Sequence, residues 1–261
     1  MLIKPKKSLG QNFLHDENII NKIINASKIS SDDQVLEVGP GTGNLTKLII
    51  SQKPKKIYVV EKDKSLAAEL EKQYYNKINI INEDILKITN EFYSGKKFLI
   101  LGNLPYNIST KILSNWCLNN KLNVSKMILM FQKEVAERIL ANVNSKEYSR
   151  ITILSKWKFD IRKITDVKPN SFFPKPKINS SILEFIPKTK IHKIKDPKNL
   201  EKITRVFFSQ RRKMIKKPLK FLFGNHEDIT NELSLDLNLR PQNLDNVTYY
   251  KICEIYENLT D

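Results

Sequence analysis

The chain predicts an α/β fold, a mainly parallel sheet covered on both faces by helices, followed by a small all-helical domain. Three observations lead there. Short apolar runs of strand length alternate with helical patterns between residues 34 and 141, as in parallel sheets buried on both faces. After residue 150 longer β-rich runs follow one another without an intervening helix. From about residue 190 only helical patterns remain. With 261 residues, 40% of them hydrophobic, the chain suits one ordinary domain plus a smaller one, and wholesale disorder is excluded.

Residues 1–30 read as an N-terminal arm and a first helix. The run QVLEV (34–38) is the first sheet strand and ends at a glycine turn. KIYVVE (56–61) is the second, the apolar residues of 78–82 the third, KFLILGN (97–103) the fourth and SKMILMFQ (125–132) the fifth. Helices are expected at 44–52, 64–75, 108–118 and 133–141. ITILSKWKFDIRKITDV (151–167) and SILEFIP (181–187) read as long strands, antiparallel at the sheet edge. KPNSFFPKPK between them carries three prolines and is a loop. Beyond it, 197–209, 211–222, 226–234 and 249–259 read as helices. A domain boundary is placed after Pro187, giving domains 1–187 and 188–261.

Composition narrows the function. Two cysteines, Cys117 and Cys253, exclude a disulfide scaffold and a Cys-based zinc site. His15, His192 and His226 show no ligand spacing, so no metal is expected. No apolar run approaches the roughly 18 residues of a membrane span, and the N-terminus has no apolar leader, so a cytoplasmic protein without membrane contact is expected. The formal charge is +17, unevenly spread: residues 150–220 hold 21 Lys+Arg against 5 Asp+Glu, whereas residues 221–261 hold 2 against 8. An A/T-rich genome would inflate Lys throughout, but would not empty the last 41 residues of cations. The basic stretch points to a polyanion, nucleic acid foremost.

Gly39, Gly41 and Gly43, three of only seven glycines, fall within five residues of LEVGPGTGNLT. They follow a strand and open a helix, which sets backbone N–H groups and a helix N-terminus against a nucleotide-like ligand. The alternative is an ordinary tight turn. The spacing G-x-G-x-G does not meet the dinucleotide fingerprint. Glu61 closes the next strand, where an acid accepts both hydroxyls of a ribose; within Glu61-Lys62-Asp63 it also reads as a solvated acid. Asp84 follows the third strand, placed to accept from an adenine amino group or to cap a helix. Glu37 is placed to receive a cationic ligand's amino group, or to brace the glycine turn.

The fourth strand ends in Asn103-Leu104-Pro105-Tyr106. These residues suit methyl transfer to the amino nitrogen of adenine, a poor nucleophile because its lone pair is delocalised into the ring. Two acceptors gripping its N–H groups favour a more tetrahedral nitrogen and free that pair. Asn103 supplies a side-chain carbonyl. Leu104 supplies a backbone carbonyl, aimed by the restriction that Pro105 places on its neighbour. Tyr106 supplies a stacking face for an extruded base. A turn opened by Asn103, with Tyr106 in the core, is the plainer alternative.

In their order, these segments resemble one family, the ribosomal RNA adenine N6-dimethyltransferases, which use S-adenosylmethionine. The resemblance covers Leu9-Gly10-Gln11-Asn12-Phe13-Leu14, Glu37 to Thr46, Glu61, Asp84 and Asn103 to Thr110. It continues through Phe172 to Ser180, matching F-x-P-x-P-x-V-x-S except for Ile178 in the Val slot, and through Ser209 to Lys213 at the start of the family's helical domain. It implies a Rossmann-like class I methyltransferase sheet with a small helical RNA-binding domain. It further implies that Asn12, Leu14, Gly39, Glu61, Asp84 and Asn103 contact the cofactor, and that Phe172 stacks on the target adenine opposite Tyr106. Without the family, Phe172 reads as a core aromatic.

GPGTGNLT and NLPY resemble the small-subunit branch. That branch dimethylates two adjacent adenosines in the 3′-terminal hairpin loop of 16S rRNA during subunit maturation. The branch with G-S-G-K-G and NIPY methylates one 23S adenosine and confers macrolide resistance. The implied partner is 16S rRNA or the immature 30S subunit, bound by a monomer. A non-catalytic nucleic-acid-binding relative would keep the basic surface and glycine turn, yet would have no use for the tetrapeptide.

Overall fold

The structure is a computed structural model that describes residues 5, 6 and 9–260. The remaining residues of the expected arm and C-terminal domain (1–4, 7, 8 and 261) lie outside the described residues. In chain order the elements are β1 (Phe13–Leu14), α1 (Glu17–Ser27), β2 (Gln34–Val38), α2 (Asn44–Ser51), β3 (Lys56–Val60), α3 (Lys64–Gln73), β4 (Asn79–Ile81), α4 (Asn90–Tyr93), β5 (Lys97–Asn103), α5 (Ser109–Leu118) and β6 (Asn123–Gln132). They continue with α6 (Lys133–Leu140), α7 (Arg150–Lys158), β7 (Phe159–Val167), β8 (Phe172–Phe173), β9 (Ser180–Pro187), α8 (Pro197–Ser209), α9 (Lys216–Phe223), α10 (Glu227–Glu232) and α11 (Asn246–Thr260). Among the described residues no helix is long and apolar enough to cross a membrane.

The chain divides into two compact units, one of Met1–Ala136 with Asp160–Pro187 and one of Glu137–Phe159 with Lys188–Asp261. The first unit is an α/β sheet of order β4-β3-β2-β5-β6-β9-β7. Strands β2 to β6 pair in parallel, and β9 runs antiparallel to β6. The centre of the sheet is apolar throughout: Val35, Leu36, Ile100, Leu101 and Leu129 are fully buried. Such strands need cover on both faces, and the intervening helices supply it. On α1, Asp16 accepts from the N–H groups of Asn18 and Ile19 at 3.0 and 3.3 Å. Ile19, Ile20, Ile23 and Ile24 then recur on one helical face and join the core cluster with Leu14, Ile49, Leu101 and Phe172.

Strand order positions the site. From β2 the chain builds outward in one direction through β3 and β4, then returns to β2's other side with β5. Between β2 and β5 lies the point where the winding reverses, and the carboxyl ends of the strands open a crevice there. Val38 pairs with both Val60 and Gly102, and Asn103 with Met130. The residues that follow β2 and β3 and the end of β5 therefore lie along one edge. A separate two-stranded antiparallel ribbon pairs Phe13 with Phe173 and Leu14 with Phe172.

The second unit is helical. Helix α7 packs on α8 and α11. The Phe207 and Tyr249 rings meet edge to face at 5.3 Å, and the Tyr250 hydroxyl donates to the Ile153 carbonyl at 3.0 Å. The buried Glu257 carboxylate accepts from the N–H groups of Lys195 and Asp196 and from the Asn199 amide at 2.8–3.1 Å.

Three expectations are corrected here. Residues 151–167 are not one strand: Arg150–Lys158 is a helix and only Phe159–Val167 is extended. Ser149 opens that helix, its N–H donating to the Thr152 hydroxyl at 3.1 Å. Ile151, Thr152, Ile153, Leu154, Ser155 and Trp157 are all buried, so the helix shows no polar face, and its β-branched run imitates a strand. The same burial alters the division of the chain. A single cut after Pro187 assigns α7 to the first domain, whereas its apolar surface is covered by α8 and α11. In addition, residues 211–215 form a turn ahead of α9 rather than its first helical turn.

Ile100 lies at the centre of β5 and is fully buried. Ile100→Ala should lower stability by about 3 kcal/mol, the typical cost of emptying that volume in a rigid core. A shift of the urea unfolding midpoint to lower concentration, read by far-UV circular dichroism, checks it.

Candidate active site

The carboxyl edge of the first unit holds an open cleft of about 990 Å³. Its walls come from three stretches of chain: Leu9 to Leu14 of the arm, the turn from Gly39 to Gly41, and Asn103 to Ile108 after β5, with Glu37, Glu61 and Asp84 beneath them. Asn12, Leu14, Gly39, Glu61, Asp84, Asn103, Leu104 and Tyr106 thus all line one cavity.

The glycine turn is dictated by close approach. Gly39 has φ +70°, and a Cβ there would sit 3.0 Å from the backbone oxygen of Asn103. Gly41 has φ +57°, and a Cβ there would overlap the Phe13 ring at 2.6 Å. Side chains at these positions would be strained in φ and would displace either the β5 end or the arm. The Gly39 N–H donates to the Val60 carbonyl at 3.1 Å, tying the turn to the end of β3.

The acids differ in electrostatics. Glu37 is 1% exposed and accepts from the Thr46 hydroxyl at 2.6 Å. Burial, only partly offset by that hydrogen bond and reinforced by the nearby Glu61 charge, pushes its carboxyl up to about 8. Glu61 accepts from the Asp63 N–H at 2.8 Å and the Gly41 N–H at 3.4 Å. Burial raises its pKa as well, against the pull of those N–H groups. Asp84 accepts from the Leu86 N–H at 3.0 Å and from the Lys62 ammonium at 2.9 Å. Partial burial pushes it up, but Lys62 and Leu86 hold it below the usual carboxylate range. Asp84 caps a short turn and also lines the cleft.

At the end of β5 the Asn103 amide donates to the backbone oxygen of Asn12 at 2.9 Å. Leu104 is 1% exposed, its side chain anchoring the loop. The Tyr106 and Ser180 hydroxyls hydrogen-bond at 2.5 Å, and burial raises the phenol above its ordinary value.

Phe172 is the exception among the expected residues. Its ring is 3% exposed, packed in the core cluster with Leu14, and is not part of the cleft wall. A stacking platform needs an open face, and this ring has none here. Alternation along β8 turns Phe172 inward and Phe173 outward, 62% exposed. The sequence reading also missed a clasp on the arm that walls the cleft. Asp63 bonds the Lys6 ammonium at 2.9 Å and the Gln11 amide at 3.1 Å. By sequence, Asp63 announces only the cap of α3, which it also provides through the Ser65 N–H at 3.0 Å.

Comparison with known proteins brings names to this geometry. The family model described as ribosomal RNA adenine dimethylase matches residues 3–261. The ribosomal RNA small subunit methyltransferase A of Pelagibacter ubique is 53% identical over 261 residues, covering 99% of each chain. A crystal structure of a dimethyladenosine transferase from Plasmodium falciparum superposes with a TM-score of 0.79 at 30% identity, over 94% of this chain and 98% of that one. The 23S rRNA methyltransferase ErmE shares the fold, with a TM-score of 0.67 at 22% identity, over 93% and 100% of the two chains.

Glu37 yields a pH test. Its raised pKa means that the folded state holds a proton which the unfolded chain has released above about 4.5. Folding stability from this group is therefore lost progressively as pH rises from about 4.5 towards 8. Glu37→Gln should raise the melting temperature relative to the parent by more at pH 8 than at pH 5, read by differential scanning fluorimetry. A difference that does not change with pH would contradict the assignment.

Proposed function

This chain belongs to the ribosomal RNA adenine dimethylase family, and from that premise we propose that it dimethylates the N6 amines of two adjacent adenosines in the 3′-terminal hairpin loop of 16S rRNA during small-subunit assembly. It is an S-adenosylmethionine-dependent methyltransferase acting as a cytoplasmic monomer. The observation that carries the reading is the convergence of the glycine turn, three acids and the Asn103–Tyr106 loop on one cleft.

The residues present fit the cofactor. A buried Glu37 carboxyl, pushed up to about 8, is a site that a ligand's positive charge stabilises. Glu61 retains lone pairs beyond its two backbone partners for ribose hydroxyls. Asp84 faces the cleft beside Glu61 and suits the adenine amino group. Gly39 and Gly41 leave the backbone bare where a side chain would collide, and Asn12 and Leu14 close the cleft from the arm. S-adenosylmethionine, when bound there, supplies an electrophilic methyl group.

The protein's own task is to hold and prepare the accepting nitrogen. Asn103 accepts one N–H of the target amine through its side-chain oxygen, and the Leu104 backbone carbonyl accepts the other. Pro105 stiffens that carbonyl, and the Ile108 N–H closes the turn on the Pro105 oxygen at 3.1 Å. Tyr106, steadied by Ser180, offers its ring to the extruded base. Phe172 contributes through the core, packing the ribbon that carries Leu14. A general base with a shifted pKa is unnecessary, because the nitrogen's proton becomes acidic once it is alkylated. The acceleration comes from positioning.

RNA is held by charge in each unit. In the first, Lys168, Lys175 and Lys177 are exposed on the loop bearing Phe173, in a stretch without an acid from Val167 to Leu183. In the second, the cations between Arg211 and Lys220 are exposed next to Phe221, itself 73% exposed. Lysine-rich surfaces with an open aromatic ring suit phosphates and unpaired bases.

Labelled S-adenosylmethionine incubated with undermethylated 30S particles, naked 16S RNA and 23S RNA, followed by digestion, should yield N6,N6-dimethyladenosine from small-subunit RNA. Label confined to 23S RNA would move the chain to the large-subunit branch, and none in any RNA would remove the activity. Asn103→Ala should keep cofactor affinity within roughly tenfold while turnover falls by about two orders of magnitude, the scale of one lost positioned polar group.

A further inference from the structure

The arm that walls the cleft is fastened at two places. Its C-terminal end is held by the ribbon with β8 and by the Asn44 amide, which donates to the Leu14 carbonyl at 2.8 Å. Its N-terminal end is held by Asp63. The Lys6 ammonium lies 2.9 Å from one Asp63 oxygen and 3.0 Å from the other, and the Gln11 amide donates to the carboxylate at 3.1 Å. The two arm residues are braced against each other, the Lys6 N–H donating to the Gln11 side-chain oxygen at 2.7 Å. Asp63 itself is 4% exposed and fixed at the start of α3, its N–H donating to Glu61 at 2.8 Å. The clasp thus joins the arm to the start of α3.

Between the two fastenings the arm touches Asn103. A backbone carbonyl can only accept, so the end of the Asn103 amide that faces the Asn12 oxygen, 2.9 Å away, is its NH2 group. The amide oxygen is therefore turned the other way. Without the Asn12 carbonyl, the two ends of the amide are nearly equal in shape and free to exchange. Half of such orientations present N–H groups to an incoming amine.

We propose that Asp63 is a positioning residue for methyl transfer: by clasping Lys6 and Gln11 it holds the arm where the Asn12 carbonyl orients the Asn103 amide with its oxygen free to accept. The inference rests on the reading of Asn103 as acceptor to the target amine. It assigns to an acid outside the transfer itself the task of keeping the acceptor correctly turned. The arm consequently does more than line the cleft, because the carbonyl it presents also aims the acceptor.

Asp63→Asn is the informative variant, since Asn caps a helix as well as Asp does while the charge that holds Lys6 is removed. Single-turnover methyl transfer to small-subunit RNA at saturating S-adenosylmethionine should fall about tenfold, the scale of a small misplacement of a reacting group. Gln11→Ala should fall in the same direction, and amide hydrogen exchange across residues 9–14 should quicken in both variants. A double-mutant cycle gives the discriminating result. In an Asn103→Ala background Asp63→Asn should cost less than about twofold more, because the group it positions is gone. Full additivity would assign Asp63 to folding alone and overturn the proposal, as would unchanged exchange of the arm. Normal turnover by Asp63→Asn with an impaired Asn103→Ala sinks the clasp and leaves the acceptor role standing. Normal turnover by Asn103→Ala sinks both.

Discussion

At the crevice between β2 and β5 two backbones approach so closely that one carries no side chain. Gly39 lies where a Cβ would come within 3.0 Å of the Asn103 oxygen, and much of the site follows from that contact. It allows the turn after β2 to lie against the end of β5, so a ligand resting on the turn borders Asn103. Two residues on, the bare Gly41 admits the Phe13 ring, and with it the arm. The remaining walls are placed by strand register, since Val38 pairs with both Val60 and Gly102. The flanking helices keep those strand ends level by burying β-branched and leucine side chains on both faces of the sheet.

A strongly basic protein that receives an anionic polymer has built its cleft from acids. These acids, with Asp63 next to them in the chain, divide into two kinds. Glu37 and Glu61 are desolvated, with hydroxyl or backbone N–H partners and raised pKa values. Asp63 and Asp84 are matched by Lys6 and Lys62; burial pushes each upward, yet the lysine and backbone partners hold both below the usual range. The first pair therefore rests on neutral partners, whereas the second is already neutralised by lysine. A small cation is favoured beside Glu37 and Glu61, while the exposed lysines elsewhere on the unit favour phosphate.

Much of the sheet was legible because its signals are local. Apolar runs bounded by turn residues gave β2 to β6, and three clustered glycines marked the turn in a chain with few others. The cleft residues from Gly39 to Tyr106 were legible because each sits just past a strand end, where side chains of parallel sheets converge. The failures share one cause, which is burial that no local pattern announces. Helix α7 is enclosed by other helices, so Ile151, Ile153 and Leu154 show no polar face to betray the 3.6-residue period. Phe172 and Phe173 are identical by type, and only the pairing with β1 decides which ring turns inward. The partners of Asp63 lie 52 and 57 residues away in the chain, a distance over which sequence spacing says nothing about contact.

The path of the chain has a consequence for synthesis and ancestry. The polypeptide leaves the sheet unit after Ala136, contributes Glu137–Phe159 to the helical unit, returns at Asp160, and departs again after Pro187. As the chain emerges from the ribosome, α7 precedes by many residues the helices that will cover Ile153 and Trp157, while the sheet still lacks β9 beside β6. The sheet unit is therefore completed only after the first segment of the helical unit has been made, and that segment waits for residues beyond Pro187 to cover it. The helical unit likewise cannot be exchanged by recombination at one junction. A relative with a different helical unit must either keep a compatible α7 within its sheet unit or replace two separated segments at once.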